Sequence, residues 1–255
     1  MNILLTNDDG IQAVGLRAMY AALTQAGHTV HVVAPMTEQS AVGHSLTVFQ
    51  ALRAKEFLEP DFKGLGVHGT PTDCVKLALS RLLPEPPDMV ISGINAGANV
   101  GPDILYSGTV AAATEAAHSG LPALAVSYDD FRPKDLSLQA QHLVELAPRL
   151  PWELLTPRCV VNVNYPARDM AETRGIRVCP QTSAVWKDEY VERLDPRGNP
   201  YWWMTGTIPP DQVNAGSDKA LLNKGHITIT PLRFDFTDRE RMTVLHDALA
   251  ERSIV

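Results

Sequence analysis

Residues 2–10 read NILLTNDDG: after Asn2 come four apolar or small residues, then a second asparagine, then two aspartates side by side and a glycine. An apolar run of this length so near the start reads as a buried strand of a parallel sheet. Such a strand delivers Asp8 and Asp9 to the sheet's carboxyl edge, where open α/β sheets bind their ligands. Neighbouring strand residues point to opposite faces, so the two carboxylates converge only where the strand breaks into a turn. Gly10 permits that turn. Two unpaired carboxylates this close repel and raise each other's pKa. A divalent cation removes the conflict, and oxygen ligands suit Mg²⁺, Mn²⁺ or Ca²⁺. The same pair also fits a plain acidic turn.

The rest of the first half supports a sheet of that kind. GLRAMYAALTQAG (15–27) carries Leu16, Met19, Tyr20 and Leu23 at helical spacing and ends on glycine. HTVHVVAP (28–35) reads as a strand, and DCVKLALSRLL (73–83) as a helix with Val75, Leu79 and Leu82 on one stripe. DMVISGIN (88–95) is a strand, SGTVAAATEAAHSG (107–120) a helix, and LPALAVSY (121–128) a strand. Alternation of this type predicts an α/β fold: a Rossmann-like, mostly parallel sheet with helices on both faces.

Beyond residue 129 the pattern loosens. LSLQAQHLVELAPRL (136–150) predicts a helix, and CVVNVNYP (159–166), GIRVCPQT (175–182) and HITITPL (226–232) predict strands. WKDEYVERLDPRGNPYWWMTGTIPPD (186–211) fits no helical stripe and reads as a loop or hairpin excursion. TDRERMTVLHDALAERS (237–253) predicts a terminal helix with Met242, Leu245 and Leu249 on one side. The division expected is a catalytic core over 1–185 and a C-terminal arm over 186–255.

Composition excludes several classes. The 255 residues are 45% hydrophobic and 20% charged, as globular chains are. A net charge of -7 argues against a general nucleic-acid binder, which needs a basic face. Three widely spaced cysteines, Cys74, Cys159 and Cys179, do not make a disulfide framework or a zinc site. Neither a signal-peptide pattern nor a bilayer-length apolar stretch is present, so the expectation is a cytoplasmic protein without a membrane partner.

Three further stretches carry chemistry. In SGINAGANVGPDILYSGT (92–109) a strand ends at Asn95, a glycine-rich loop follows, and a helix starts near Ser107, Gly108 and Thr109. Such a loop and helix N-terminus expose N–H groups that cradle a phosphate, with Ser107 and Thr109 adding hydroxyls. Asn95 offers an amide oxygen suited to a cation. The loop is neither a Walker loop nor G-x-G-x-x-G. In MTEQSAVGHS (36–45), Ser40 lies near a strand end, and His44 is either an acid–base candidate or a solvated loop histidine. In HGTPTDCV (68–75), Thr70 or Thr72 caps a helix, and Cys74 reads as a core thiol.

Taken together and in order, these stretches resemble the SurE family, stationary-phase survival proteins that act as metal-dependent nucleotidases. ILLTNDDGI, HGTPTDCV, SGINAGANVG, YSGTVAAA and VNVNYP resemble its successive blocks; NPYWW and SDKALLNKGHITITPL resemble its C-terminal ones. The resemblance implies hydrolysis of nucleoside 5'- and 3'-monophosphates, with short polyphosphate as a further substrate of some members. It implies one divalent cation per subunit, Mg²⁺ or Mn²⁺, held by Asp8, Asp9, Ser40 and Asn95, and a phosphate site at Asn95, Ser107, Gly108 and Thr109. It also implies a homodimer or homotetramer with exchanged C-terminal arms, and Trp202 and Trp203 are then interface candidates. The serine loop departs from the pattern. Met36 and Thr37 replace an Asp-Arg pair, Ala41 stands where glycine follows the serine, and Val14 stands where proline is common.

Two rival readings differ at named residues. A haloacid-dehalogenase-type phosphatase needs an aspartate nucleophile where this chain has Asn7. A non-catalytic nucleotide or metal sensor would share the fold, which does not fix function.

Overall fold

Strand β1 (Asn2–Thr6) has buried side chains on both faces, Ile3 and Leu5 toward one core and Leu4 toward the other. A strand covered on both sides is the hallmark of a parallel sheet sandwiched by helices. The computed structural model describes residues 1–155 and 157–252; residues 253–255 of the expected terminal segment lie outside it.

After β1 come α1 (Val14–Gln25), β2 (Thr29–Pro35) and a pair the sequence did not announce, β3 (Ala54–Glu59) and β4 (Phe62–Val67). Helix α2 (Pro71–Leu77), β5 (Met89–Ala96), α3 (Gly108–His118), β6 (Ala123–Tyr128) and α4 (Ser137–Leu146) complete the alternating half. The remaining elements are α5 (Trp152–Leu155), β7 (Cys159–Tyr165), β8 (Ile176–Val178), β9 (Lys187–Leu194), β10 (Pro200–Thr207), α6 (Asp218–Asn223), β11 (Ile227–Arg233) and α7 (Arg239–Glu251).

Nine strands form one sheet in the order β3-β4-β2-β1-β5-β6-β7-β11-β8. Pairings from β4 through to β7 are parallel; β3 on β4 and β11 on β7 are antiparallel. The chain leaves β1 toward β2 on one side and returns through β5 on the other. The sheet therefore reverses direction between β1 and β5, and a crevice opens outside their carboxyl ends. Helices α1 and α4 cover one face with Leu16, Met19, Ala140 and Leu143. Helices α2 and α3 cover the other, where the alanines of α3 let it sit close to β5 and β6.

Three helix expectations change in detail. The stripe over 73–83 does not stay α-helical: α2 ends at Leu77 and widens into a π turn over Ala78–Leu82, and past Ala78 the stripe is only half-buried. Residues 136–150 are not one helix, because Pro148 lacks the N–H to continue it and α4 gives way to a 3₁₀ turn at Ala147–Arg149. Helix α7 forms over the expected residues but buries none of them, Met242 and Leu245 included.

The excursion at 186–211 is a regular antiparallel hairpin, β9 on β10, paired from Lys187↔Thr207 to Leu194↔Pro200. Its apolar side chains are exposed: Tyr190, Val191, Trp202, Trp203 and Met204.

Candidate functional site

The crevice between β1 and β5 is a cavity of about 500 Å³. Asp8, Asp9, Ser40, Asn95 and Ser107 all line it. Gly10 makes the turn the sequence asks of it, at φ 98°. Asn7 ties that turn with a side-chain N–H donated to the Gly10 carbonyl at 2.9 Å. The Ile11 amide bonds back to Pro35 and the Gln39 amide to Asp8, so the turn after β1 and the loop after β2 are fastened together.

The two carboxylates are held differently. Asp8 is buried, and its Oδ1 accepts the Thr109 hydroxyl in a short hydrogen bond. Gly108 makes that approach possible, since a Cβ there would sit 2.8 Å from the Asp8 Cβ. Asp9 is half-buried, and its Oδ2 accepts the Ala96 amide at 2.9 Å. Burial raises the pKa of Asp8, against the lowering pull of Thr109 and of the first amides of α3. Burial first, then the Asp8 charge, pushes Asp9 up to about 7; the Ala96 amide opposes the shift and Glu38 adds to it. Among the described residues no Lys, Arg or His forms an ion pair with either aspartate.

Neutral oxygens surround the pair. Ser40 donates its hydroxyl to Glu38 at 2.6 Å, and the oxygen lone pairs stay available. Asn95 donates its side-chain N–H to the Gly97 carbonyl at 2.7 Å; its amide oxygen accepts no hydrogen bond among the described residues. Among the described residues no group of three or more His, Cys, Asp or Glu side chains gathers as a metal cluster there. The donor set is instead two carboxylates with hydroxyl and amide oxygens, which suits a hard divalent ion. Two desolvated acids without a counter-charge fit such an ion as well.

The expected phosphate residues divide. Ser107 lines the cavity and caps α3, accepting the Val110 amide at 3.1 Å. Gly108 and Thr109 do not line the cavity; both serve Asp8. In this structure α3 enters close enough to β1 for its first turn to take the Asp8 carboxylate. His44 does not line the cavity either; it faces Glu115 of α3 at 3.1 Å. Thr70, not Thr72, caps α2, in a reciprocal pair with Asp73. Cys74 is buried in the core, and burial pushes its thiol pKa up.

Other lining residues gave no signal in the sequence: Glu38, Asp103, Tyr106, Phe131 and Arg132. Glu38 lies two places before Ser40, and Asp103 and Tyr106 lie inside the glycine-rich stretch 92–109, so these three were within reach of the motif reasoning, whereas Phe131 and Arg132 were not. The glycine-rich loop is pinned from below. Asn99 donates its backbone N–H to Asn164 at 2.8 Å, its carbonyl accepts the side-chain N–H groups of Asn162 and Asn164, and buried Asp218 accepts the Gly101 amide at 2.8 Å. The asparagines of VNVNYP and the aspartate of SDKALL thus fix the loop that carries Asn95.

Comparison with known proteins matches this arrangement. The family described as "Survival protein SurE" matches residues 3–188. The chain is 68% identical over 245 residues to a protein of Nitratidesulfovibrio vulgaris (strain DSM 19637 / Miyazaki F) named 5'-nucleotidase SurE, covering 96% of this chain and 91% of that one. A protein of the same name from Desulfovibrio desulfuricans (strain ATCC 27774 / DSM 6949 / MB) is 66% identical over 250 residues, covering 96% and 97%. The crystal structure of the SurE protein from Aquifex aeolicus superposes with a TM-score of 0.80 at 33% identity, covering 95% of this chain and 97% of that one. With the family matched across most of its length and relatives this similar, the chain belongs to the SurE family.

Proposed function

We propose that this protein is a metal-dependent phosphomonoesterase that hydrolyses nucleoside 5'- and 3'-monophosphates to nucleoside and phosphate. One observation carries the reading: Asp8 and Asp9 stand together at the sheet's switch point, desolvated and without a cationic side chain, on a cavity of about 500 Å³. The name 5'-nucleotidase SurE, borne by relatives at 68% and 66% identity, supports it.

Asp8, Asp9, Ser40 and Asn95 would hold one divalent ion, Mg²⁺ or Mn²⁺. Such an ion supplies charge neutralisation and Lewis acidity toward a phosphoryl group. The protein's own part is positioning. Thr109 and the first amides of α3 hold the Asp8 carboxylate in place and oppose the upward push of burial on its pKa, and the Ala96 amide does the same for Asp9. Asp9, the more accessible acid, accepts the proton of the attacking water. Ser107 and Asn95 face the phosphate oxygens, while Gly108 and Thr109 act through Asp8.

The same reading divides the chain into a catalytic core, 1–185, and an arm, 186–255, that pairs copies into a homodimer or homotetramer. The exposed apolar side chains of β9 and β10 support that pairing. No helix among the described residues is long and apolar enough to cross a membrane.

The test is phosphate release from a panel of nucleoside monophosphates by stripped protein, by protein given Mn²⁺ or Mg²⁺, and by Asp9→Asn. Expected is activity that returns with the metal and falls at least about 100-fold in Asp9→Asn, as removal of a central electrostatic group does. Folded wild-type protein that releases no phosphate under any metal would sink the reading.

A further inference from the structure

Phe131 is the most exposed aromatic residue on the cavity wall, with 81% of its surface open, and it stands in the loop between β6 and α4. Its ring packs on the backbone of Gly97: a Cβ at that position would meet the ring's Cε1 at 2.7 Å. One side of the ring thus rests on the glycine-rich loop and the rest is free. Gly97 follows Ala96, whose amide binds Asp9. Consecutive Cα atoms are about 3.8 Å apart. The ring therefore stands on the residue next to the one that holds Asp9, on the wall of the cavity that both acids line.

The loop is fastened rather than loose. The Asp129 amide bonds to the Tyr165 carbonyl at 2.9 Å, the Gly97 amide to the Tyr128 carbonyl at 2.8 Å, and the Arg132 amide to the Asp130 carboxylate at 3.0 Å. Phe131 is held in place without being buried, which is what a preformed stacking surface needs.

Arg132, next in the chain, is the one cationic side chain among the cavity's lining residues, against Asp8, Asp9, Glu38 and Asp103. Its guanidinium makes no ion pair or hydrogen bond among the described residues. A free guanidinium at the rim of an acidic cavity attracts an anionic substrate that the carboxylates repel.

We infer that Phe131 is the platform on which the substrate's nucleobase stacks, and that Arg132 beside it draws the phosphate ester into the cavity. The inference rests on the nucleotidase reading and deepens it: the substrate is selected for a flat aromatic group at the end away from its phosphate. Aromatic stacking serves purine and pyrimidine alike, because every base has a π face. The platform therefore favours nucleotides over simple sugar phosphates more than it ranks the bases.

The experiment compares kcat/KM for adenosine 5'-monophosphate and ribose 5-phosphate in wild type, Phe131→Ala, Phe131→Trp and Arg132→Gln. Phe131→Ala is expected to reduce the preference for the nucleotide about tenfold, near the lower end of what one stacked base contributes. Phe131→Trp is expected to restore that preference. Arg132→Gln is expected to lower kcat/KM for both esters by a similar factor, and the loss should shrink at high salt. A preference that does not move in Phe131→Ala overturns the platform, and an Arg132→Gln effect on neither ester overturns the role of the guanidinium.

Calorimetric binding of adenosine to the same proteins separates this from the wider reading. Adenosine affinity that falls about tenfold in Phe131→Ala upholds the platform even if wild type releases no phosphate, in which case only hydrolysis fails. Equal adenosine affinity in wild type and Phe131→Ala overturns the platform whatever the hydrolysis result.

Discussion

Two acidic clusters lie on either side of the loop at 36–45, and they have opposite electrostatics. On one side Asp8 and Asp9 are desolvated, have no cation, and both have raised pKa values, Asp9 to about 7. On the other, Glu115 of α3 meets Lys76 at 2.7 Å and His44 at 3.1 Å, and its pKa is lowered to about 2, chiefly by the hydrogen bond from His44. The same loop serves both: the Gln39 amide bonds to Asp8, Glu38 and Ser40 line the cavity, and His44 reaches Glu115. Glu115 is neutralised by the fold itself. The aspartate pair is left for something the fold does not supply, and a site that costs stability in this way is characteristic of function.

The widest separation between the clusters is expected with metal. Divalent cation should raise the melting temperature of wild type, and Asp9→Asn should lose both that shift and the phosphatase activity. Substitution at Glu115 should leave the shift in place. A cation-induced shift that depends on Glu115 and not on Asp9 would reverse the assignment of the two clusters.

Thr109→Val comes next. It keeps the side chain's volume and removes the hydroxyl that Asp8 accepts. Partners that orient a ligand typically matter 10- to 100-fold in metal affinity, so Mn²⁺ affinity by calorimetry should fall by about that range. Unchanged affinity would show that the amides of α3 suffice to fix Asp8, and that the hydroxyl is free to serve the phosphate as the motif first suggested.

The contrast also marks what the sequence could and could not express. NILLTNDDG carried the strand, the break and the acid pair within nine residues, because burial on both faces writes itself as an unbroken apolar run. The assignment of Thr109 to Asp8 was not legible. It depends on how closely the first turn of α3 approaches β1, a tertiary distance that no spacing along the chain encodes. Strand β3, AKEFLE, passed unnoticed since it is an edge strand with only Phe57 half-buried, so the alternation that marks a strand is faint. The hairpin β9–β10 was read only as a loop or hairpin because both strands are exposed along nearly their whole length. Phe131 and Arg132 carried no pattern at all; a lone aromatic in a loop gains meaning only from the cavity it faces.

Glu115→Gln tests the paired cluster with a smaller effect. The folded pKa lies below the unfolded value of 4.5, so the carboxylate contributes stability that is present above about 4.5 and lost as pH falls through about 2. Lys76 and His44 are themselves 49% and 36% exposed, so solvent screens the pair. The expected loss at pH 6 is about 1 kcal/mol. Urea unfolding of wild type and Glu115→Gln should differ by that amount at pH 6 and converge toward pH 2. A difference that persists at pH 2 would mean that Glu115 acts through packing and not through charge.

The smallest effect belongs to the loop that joins the clusters. Ala41 stands where the family pattern has glycine, and its φ is 58°, a left-handed conformation. A residue with a Cβ is strained there by about 1–2 kcal/mol. Ala41→Gly removes the strain but gives the unfolded chain more freedom, which offsets part of the gain. The net expectation is a stabilisation of at most about 1 kcal/mol by urea unfolding. The functional consequence should be lopsided. Ala41 lines the cavity beside Ser40, whereas His44 is held separately by Glu115 and its neighbour Gly43 by the Tyr106 carbonyl. Added freedom at 41 should therefore loosen Ser40 and weaken Mn²⁺ affinity slightly, while the pH dependence set by Glu115 stays as it is. If Ala41→Gly changed that pH dependence as well, the loop would couple the two clusters, and their opposite charge states would have to be treated as one system.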